Sequence, residues 1–441
     1  MLRKTVDVLV IGGGPAGSTA ATVLADAGLS VLLCERERFP RFHIGESLLP
    51  YNVPLFERLG VWEKLLEHGF QRKWGAHFVF ETAGSTMQLD FSRSLDRHLP
   101  MALQVRRAEF DTILLEHAAS RGVEVWQEAP VLAARTDDHG RVIGAEVERD
   151  GERLAIHARA VVDASGRDVL VGKQLGLRRR DPALRQAAMF THVRHATMDL
   201  GRDGGDILIA AGTYGWFWMI PLDRETTSVG CVFPGRQWRE HEGDVESFFA
   251  AQVAASPEVS RRMATAERIA PIRPTADFSY RLQRFGGDGW VAVGDAAAFL
   301  DPVFSSGVLI ATVTGERAAR TVARTLARKA TVTTSDLASY ERFARLGLDR
   351  FRRYILGFYD PAVISLLCER PPALLHAMAT SAFGGKVFSR DPRIGLFEKT
   401  LFFGATQRQR DAARGKVSLP LPPAHDVSMP RDESIGLSAG A

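Results

Sequence analysis

The stretch Val6–Glu35, VDVLVIGGGPAGSTAATVLADAGLSVLLCE, decides the fold. Its apolar run ending at Ile11 is typical of a buried parallel strand. Glycines follow at the spacing G-x-G-x-x-G, an alanine-rich helix is predicted from about Pro15 to Ala27, and a second apolar run closes the stretch. The stretch therefore predicts a strand, a glycine turn, a helix and a second strand, the unit that binds dinucleotides.

The small residues of the glycine turn each have a physical reason. Gly12 makes the tight turn, Gly14 lets the backbone approach a pyrophosphate, and Gly17 lets the helix pack closely on the strand. The amides of the first helical turn, around Ala16, and the helix dipole favour a diphosphate. Glu35, after the second strand, stands at a spacing suited to a ribose hydroxyl. We therefore predict a bound dinucleotide cofactor.

Composition and charge are those of an ordinary globular protein. The 441 residues are 45% hydrophobic and 24% charged, enough for about two or three structural units. A net charge of +4 without a basic stripe argues against a nucleic-acid partner. Cys34, Cys231 and Cys368 lie far apart in the sequence, so we predict no metal site and no disulfide framework, as in a reducing cytoplasm. We expect no signal peptide and no transmembrane segment.

The order of patterns along the chain predicts an α/β fold. Strand and glycine signals near both ends of the first 300 residues indicate a Rossmann-like FAD-binding domain formed by residues 1–185 and 270–330, with an inserted antiparallel substrate-domain sheet at 186–269. A helical region over 331–405 and a flexible tail over 406–441 are predicted to follow. The sequence has no second G-x-G-x-x-G, so it does not indicate a separate nicotinamide domain. This favours a flavin over a diffusing NAD as the cofactor.

Four motifs in register resemble those of the single-component FAD monooxygenases and their relatives. They are GGGPAGS at 12–18, GES at 45–47, DASGR at 163–167 and GDAAAFLDP at 294–302. The resemblance covers residues 5 to about 330 and implies that FAD is the cofactor. Besides the residues of the first stretch, it implies cofactor contacts from Arg36, Ser47, Arg107, Asp163, Gly166, Gly294, Asp295, Pro302 and Gly307.

Two of these positions have a physical role in that picture. The carboxylate of Asp295, at a strand end, accepts a flavin ribityl hydroxyl, while the next helix points its positive end at the flavin ring. Arg107 leads into a helix near the cofactor. The alternative interpretation of Arg107 is a solvated arginine.

The run WFWMIP at 216–221 matches the W-x-W-x-I-P signature of the flavin-dependent halogenases. Trp216 and Trp218 are two residues apart on a predicted strand, so both rings share one face. The resemblance implies that these rings, with Ile220 and Pro221, screen the flavin from the substrate and suppress direct oxygen transfer. The alternative is an aromatic strand packed on a core.

Two further sites follow from this resemblance. Lys73, in KWGAHF at 73–78, stands where the halogenases carry a lysine required for halogenation, and it would donate hydrogen bonds to hypohalous acid or form a haloamine when neutral. The alternative is a surface charge. The turn DPVFSSG at 301–307 implies a halide site at the amides of Ser306 and Gly307, with a helix N-cap as the alternative.

One residue differs from the halogenases that act on free tryptophan and indicates another branch of the family. Halogenases that act on free tryptophan carry a glutamate where this chain has Phe304, so the chain is more similar to the branch that halogenates phenols and pyrroles. The segment FRRYILGFYD at 351–360 is also similar to that branch. The resemblance implies FADH2, O2 and chloride or bromide as reactants, and a separate NAD(P)H-dependent flavin reductase. The aromatic substrate is either free or attached to an acyl or peptidyl carrier protein.

Two other functions stay open on the sequence. One is a single-component FAD-dependent aromatic monooxygenase (a hydroxylase) or a reductase of a hydrophobic substrate, with Lys73 and the tryptophans purely structural. NADPH oxidation without an added reductase would indicate it. The other is a flavin-binding scaffold without chemistry.

Overall fold

Two large β-sheets and a group of C-terminal helices form the fold in this computed structural model, which describes residues 3–276, 279–369 and 371–425. The strands are β1 (Arg3–Ile11), β2 (Val31–Cys34), β3 (Gln71–Lys73), β4 (Gly75–Phe80), β5 (Ser85–Asp90), β6 (Ala102–Gln104), β7 (Glu124–Trp126), β8 (Val131–Thr136), β9 (Val142–Arg149), β10 (Glu152–Asp163), β11 (Arg178–Arg180), β12 (Gln186–Arg194), β13 (Ile207–Gly212), β14 (Gly215–Pro221), β15 (Thr226–Pro234), β16 (Glu267–Arg268), β17 (Arg273–Ala276), β18 (Tyr280–Leu282), β19 (Gly286–Gly287), β20 (Trp290–Ala292) and β21 (Ala298–Phe299).

The helices alternate with these strands at first and then dominate the C-terminal part. They are α1 (Pro15–Asp26), α2 (Val53–Leu59), α3 (Trp62–Glu67), α4 (Arg107–Ser120), α5 (Leu170–Gln174), α6 (Gly235–Arg239), α7 (Val245–Ala255), α8 (Pro257–Met263), α9 (Gly307–Leu326), α10 (Thr334–Phe358), α11 (Pro361–Leu367), α12 (Ala373–Phe383) and α13 (Pro392–Ala413). The predicted α/β class is confirmed.

The first sheet carries the predicted dinucleotide unit. Its strand order is β19-β20-β10-β1-β2-β7, and β20, β10, β1, β2 and β7 run parallel. Ile11 pairs with both Cys34 and Asp163, and Asp163 pairs with Ala292, so the carboxyl ends of these strands meet at one edge. In parallel sheets ligands bind outside that edge.

The close approach of helix α1 to the strands explains its small residues. A Cβ on Gly17 would lie 1.9 Å from the carbonyl oxygen of Gly12, so only glycine fits there. Gly12 itself has a φ of +99°, in the left-handed region that favours glycine. On the other side of the helix, a Cβ on Gly315 of α9 would lie 2.7 Å from the carbonyl oxygen of Ala16. The glycine spacing therefore fixes how α1 packs between β1 and α9.

The second sheet is larger than the predicted insertion. Its order is β16-β12-β15-β14-β13-β4-β5, with β17 also pairing with β12. The antiparallel pattern predicted from residue 186 is present in β12 to β15. However, β4 and β5 come from residues 75–90 and β17 from residues 273–276, which the sequence had placed in the cofactor domain. The local alternation of β4 indicates a half-buried strand but does not say which sheet it joins.

The C-terminal region is helical, as predicted, and new helices begin at Pro361 and just after Pro372. The prediction of a tail from residue 406 is wrong for residues 406–413, which belong to α13. These residues continue a helix whose buried residues, from Ile394 to Ala405, lie before them and pack against α11 and α12, and polar composition alone does not reveal that continuation. The predicted tail beyond residue 425 lies outside the described residues. Among the described helices, none is long and apolar enough to cross a membrane.

Candidate functional site

The glycine turn and the end of β2 form one half of a cofactor cradle. Gly13 donates its backbone N–H to Glu35 Oε2 at 2.7 Å, and Glu37 donates its backbone N–H to Glu35 Oε1 at 2.9 Å. Glu35 is 5% exposed. The carboxylate therefore braces the turn at the position from which we predict a ribose contact.

The first turn of α1 offers free amide donors to a diphosphate. The N–H groups of Ala16 and Gly17 lie in the first helical turn, where no intrahelical acceptor exists. Beside Gly14, the nearest atom to an added Cβ is Arg41 Nη2, at 3.4 Å. Arg41 also lies 3.1 Å from a carboxylate oxygen of Asp111. This arginine adds a buried positive charge next to the predicted diphosphate position.

Arg107 is buried, so the alternative of a solvated arginine is wrong. Its Nε and Nη2 atoms donate to the two carboxylate oxygens of Asp111 at 2.7 and 2.8 Å, and Nη1 donates to the carbonyl oxygen of Ile44 at 2.8 Å. Burial alone would raise the pKa of Asp111, but the guanidinium charges of Arg107 and Arg41 hold it below its ordinary value. The cofactor contact of Arg107 stays a prediction.

Two other predicted residues, Asp163 and Gly166, lie at the turn after β10, and a third, Arg36, follows β2 and contacts that turn. Asp163 accepts hydrogen bonds from Ser165 N–H at 3.1 Å and Val171 N–H at 2.8 Å, so its carboxylate shapes the turn. Gly166 has a φ of +61°, and Arg36 is exposed and pairs with Asp168 at 2.5 Å. These contacts shape the turn, and the cofactor contacts of the three residues stay predictions.

Asp295 is the predicted residue whose contacts best fit a flavin. Gly294 donates its N–H to Thr314 Oγ1 at 2.8 Å and has a φ of +55°, which turns the chain at the strand end. Within the described residues, the carboxylate of Asp295 accepts no hydrogen bond. Burial raises its pKa to about 6, although Arg167 and Arg107 act in the opposite direction. An unpartnered carboxylate beside the glycine cradle is what a ribityl or ribose hydroxyl requires.

The turn before α9 leaves open space at the helix N-terminus. Asp301 accepts the backbone N–H of Val303 at 3.0 Å, and Pro302 begins the short turn that follows. Ser306 is 3% exposed and is the N-cap residue of α9, but its hydroxyl makes no capping hydrogen bond. No atom lies within 4 Å of the position of an added Cβ on Gly307. The free amides and the space fit a small anion.

Lys73 is buried at 1% exposure, so the alternative of a surface charge is wrong. It ends β3, and its Nζ donates to Ser47 Oγ at 2.8 Å and to the carbonyl oxygen of Leu48 at 3.0 Å. Nζ also lies 5.5 Å from the ring centre of Phe91. Burial lowers the pKa of Lys73 to about 7. The structure therefore places Ser47, a predicted cofactor residue, in contact with the predicted catalytic amine.

The two tryptophans share one face of β14, as predicted, with their ring centres 6.0 Å apart. Trp216 Nε1–H donates to the Tyr359 hydroxyl at 2.9 Å, and that hydroxyl donates to Asp301 Oδ2 at 2.8 Å. Trp218 Nε1–H donates to Ser228 Oγ at 3.2 Å. Strand β14, which carries the predicted screen, is therefore linked through the hydroxyl of Tyr359 to the turn that precedes Ser306. Ile220 lies on the same face and Pro221 ends the strand.

The strand after Lys73 also reaches this turn. The ring centre of Phe78, on β4, lies 6.2 Å from that of Phe304. Phe304 stacks on Phe383 at 4.9 Å. Strand β4, which follows Lys73, the turn before α9 and the C-terminal helices thus meet at one apolar wall.

Comparison with known proteins identifies this arrangement. A family model described as FAD binding domain matches residues 5–345. A Pseudomonas fluorescens protein named 1H-pyrrole-2-carbonyl-[peptidyl-carrier protein] chlorinase is 33% identical over 407 residues, covering 86% of this chain and 90% of that protein. The structure of the flavin-dependent brominase Bmp2 superimposes with a TM-score of 0.83 at 30% identity, covering 92% of this chain and 100% of that one. The chain belongs to the flavin-dependent halogenases.

A second curated halogenase agrees with this assignment. A Pseudoalteromonas luteoviolacea protein named 1H-pyrrole-2-carbonyl-[peptidyl-carrier protein] brominase is 36% identical over 320 residues, covering 72% of this chain and 77% of that protein. The predicted family and enzyme class are confirmed, and FAD is the cofactor of this halogenase. The hydroxylase or reductase alternative is not favoured.

Sequence reasoning missed several buried polar residues of the halogenase. Arg41 and Asp111 lie outside the quoted motifs, whereas Tyr359 lies in FRRYILGFYD at 351–360, which was singled out only for its similarity to the phenol and pyrrole branch. Glu46, in the GES motif, is 2% exposed and lies 2.8 Å from His192 Nε2. Glu46 and Tyr359 therefore carried a sequence signal, since each stands inside a segment that was already singled out.

A group of potential metal ligands lies on the second sheet. Ligand atoms of His77, Asp203 and Asp206 all lie within 4.8 Å of one another. One carboxylate oxygen of Asp206 already accepts two backbone hydrogen bonds, and His77 Nε2 lies 2.9 Å from Gln88 Nε2. These atoms are engaged in a hydrogen-bond network of the protein itself.

Proposed function

We propose that this halogenase uses FADH2, O2 and chloride or bromide to halogenate a phenol- or pyrrole-type ring held on a carrier protein, with Lys73 as the catalytic residue. The observation that carries the proposal is the burial of the Lys73 amine between Ser47 and Leu48. A buried lysine without a salt bridge is costly, because desolvation penalises the ammonium form. Such a group is a candidate for chemistry.

The cofactor supplies one part of the reaction. Reduced FAD with O2 supplies the two-electron oxidation that converts halide to hypohalous acid. The cradle formed by Gly12, Gly14, Ala16, Gly17 and Asp295 would hold it, since the free amides suit its diphosphate and the free carboxylate suits a hydroxyl. The amides of Ser306 and Gly307 would hold the halide, where the space beside Gly307 is open.

The two hydrogen bonds of Lys73 leave one of its N–H donors for the halogen donor. An ammonium group has three N–H donors, and Ser47 and Leu48 accept two of them. The third position can donate to hypohalous acid. With a pKa of about 7 the amine is also partly neutral near neutral pH. A neutral amine would exchange one N–H for an N–halogen bond, release water, and then transfer the halogen to a ring carbon that loses a proton.

Phe304 supports an electron-rich substrate. Where the resemblance to tryptophan halogenases would require a glutamate, the chain presents a phenyl ring packed 4.9 Å from the ring of Phe383. This wall is apolar and offers no carboxylate to assist the substitution. Phenol and pyrrole rings need less assistance than benzene-type rings because their heteroatoms donate electron density.

Two partners follow from the proposal. The two curated relatives bear names that specify a pyrrole-2-carbonyl group on a peptidyl carrier protein, which supports a tethered substrate here. A separate NAD(P)H-dependent flavin reductase would supply FADH2, because the chain has no second dinucleotide-binding glycine motif. We expect the protein to act in the cytoplasm, where both partners are available.

The test is mass spectrometry of reactions with FAD, a flavin reductase, NADH and bromide. Phenols and pyrroles are offered free and loaded on carrier proteins. We expect a bromine isotope doublet on a loaded substrate, and a loss of at least about 100-fold in product for Lys73→Ala. Lys64→Ala, which removes an exposed lysine, is the matched control and retains activity.

Two outcomes would contradict the proposal. A product that gains only oxygen would indicate a hydroxylase. Equal bromination by the wild type and Lys73→Ala would remove Lys73 from the chemistry. Bromination of free rings alone would contradict only the carrier-bound substrate.

A further inference from the structure

A carboxylate from the second sheet holds the backbone that follows Lys73. Asp206 is 4% exposed and stands immediately before β13. Its Oδ1 atom accepts the backbone N–H of Trp74 at 2.6 Å and of Gly75 at 2.7 Å. These are the two amides directly after the lysine. One oxygen atom thus fixes the direction in which the chain leaves Lys73.

The segment that follows Lys73 and the segment that precedes β13 approach each other closely at two glycines. A Cβ on Gly75 would lie 2.1 Å from the carbonyl oxygen of Leu89 and 2.8 Å from Asp206 Oδ2. A Cβ on Gly205 would lie 1.9 Å from the carbonyl oxygen of Arg72. Glycine is therefore required on each segment, two residues after Lys73 on one and directly before Asp206 on the other. The contact is built by both segments.

The groups on the Lys73 side of this contact are neutral, and those on the His77 side are charged or titratable. The groups in contact with the Lys73 amine are neutral: the Ser47 hydroxyl, the Leu48 carbonyl and the Phe91 ring. On the far side, Asp206 Oδ2 lies 3.5 Å from His77 Nε2. Burial lowers the pKa of Lys73, and the charge of Asp206 acts against that effect.

Other charged groups lie behind His77, on the far side of Asp206. Asp199 Oδ2 is 3.6 Å from His77 Nδ1, and Asp199 is itself paired with Arg262 at 2.9 Å. Asp203 accepts a hydrogen bond from Gln88 Nε2 at 3.2 Å. Both carboxylates raise the pKa of His77 through their charge. Asp206 is thus the acid that faces both the histidine and the lysine segment.

We propose that Asp206 is a positioning residue for Lys73, which fixes the place of the amine through the Trp74 and Gly75 amides and favours its protonated form through its charge. The inference rests on the proposed role of Lys73. Two substitutions distinguish the two functions of the Asp206 side chain. Asparagine keeps an oxygen acceptor for the amides but removes the charge. Alanine removes both.

Nuclear magnetic resonance of protein labelled with ¹³C at the lysine ε carbon tests the charge. The chain has only eight lysines, Lys4, Lys64, Lys73, Lys173, Lys329, Lys386, Lys399 and Lys416. The Lys73 signal is the one absent from Lys73→Arg. We expect Asp206→Asn to move its titration midpoint to lower pH by about one pH unit. Asp203→Asn, which removes a carboxylate of the same loop without a contact to the lysine segment, leaves the midpoint unchanged.

Steady-state bromination tests the position. We expect the midpoint of the pH–rate profile of Asp206→Asn to lie at lower pH than that of the wild type, as the Lys73 titration midpoint does. For Asp206→Ala we expect kcat to fall at least about tenfold at every pH, because the amine is misplaced. FAD binding by each variant confirms that the fold is kept.

Two results would overturn the inference. One is an Asp206→Asn midpoint equal to that of the wild type, and the other is an Asp206→Ala variant that keeps the wild-type kcat. The resonance measurement needs no turnover. A wild-type protein that fails to halogenate would therefore refute the proposed function and still leave the link between Asp206 and Lys73 measurable.

Discussion

At the scale of single residues, Tyr359 joins two parts of the site that the sequence treated separately. Its hydroxyl accepts from Trp216 Nε1 at 2.9 Å and donates to Asp301 Oδ2 at 2.8 Å. All three side chains are buried. Burial raises the pKa of Asp301 to about 6, and the Tyr359 hydrogen bond limits that rise. The phenol therefore supports both the predicted screen and the turn that leads to the predicted halide site.

Tyr359→Phe leaves an indole N–H and a carboxylate oxygen without a partner in the interior. We expect the free energy of unfolding to fall by about 2 kcal/mol, measured by urea denaturation. We also expect the KM for bromide to rise, because the turn before Ser306 loses a support. Tyr214→Phe removes one hydrogen bond, to Glu81 at 2.9 Å, on the other face of the second sheet. It should lower the free energy of unfolding by about 1 kcal/mol and leave the bromide KM unchanged. A rise in KM that matches that of Tyr359→Phe would contradict the specific role of Tyr359.

At the scale of elements, the sequence predicts best what is local. The strand, turn and helix ending at Asp26 follow from glycine spacing and apolar periodicity, and they appear as predicted. The sheet membership of β4 and the contact of Asp206 with the segment after Lys73 link residues more than 100 positions apart, which no periodicity encodes. Residues 406–413 continue a helix whose earlier part, up to Ala405, packs against α11 and α12, and their own polar composition does not encode that continuation. Long-range pairing and burial are what the sequence left undetermined.

Two helical glycines give opposite expectations for the same substitution. Gly17→Ala places a methyl group 1.9 Å from the carbonyl oxygen of Gly12, so the turn must distort. We expect weaker FAD binding, by at least about tenfold in fluorescence titration, and lower stability. Gly395→Ala, in α13, meets no atom within 4 Å. It should raise the free energy of unfolding by about 0.5–1 kcal/mol and leave FAD binding unchanged. Equal effects of the two changes would contradict the packing argument.

At the scale of the whole molecule, the last described residues close over the second sheet. Thr82 Oγ1 donates to the carbonyl oxygen of Leu421 at 2.6 Å, and Ala424 donates its N–H to the carbonyl oxygen of Gly212 at 3.2 Å. The ring of His425 lies 5.0 Å from that of Tyr359. The segment 416–425 therefore covers the outer side of the phenol that links the screen to the halide turn.

Comparing a chain that ends at residue 415 with one that ends at residue 425 isolates the contribution of this segment. We expect the shorter chain to lose about 2 kcal/mol of unfolding free energy, since at least two hydrogen bonds and one ring contact disappear. FAD affinity should be equal in the two chains, because every predicted FAD contact lies before residue 308, on other elements of the fold. Bromination by the shorter chain should fall, because Tyr359 becomes exposed to water and its hydrogen bonds weaken. Three measurements check these expectations: urea denaturation, FAD titration and the bromination assay. If FAD affinity falls together with stability, the segment supports the whole fold and not specifically the predicted halide side of the site.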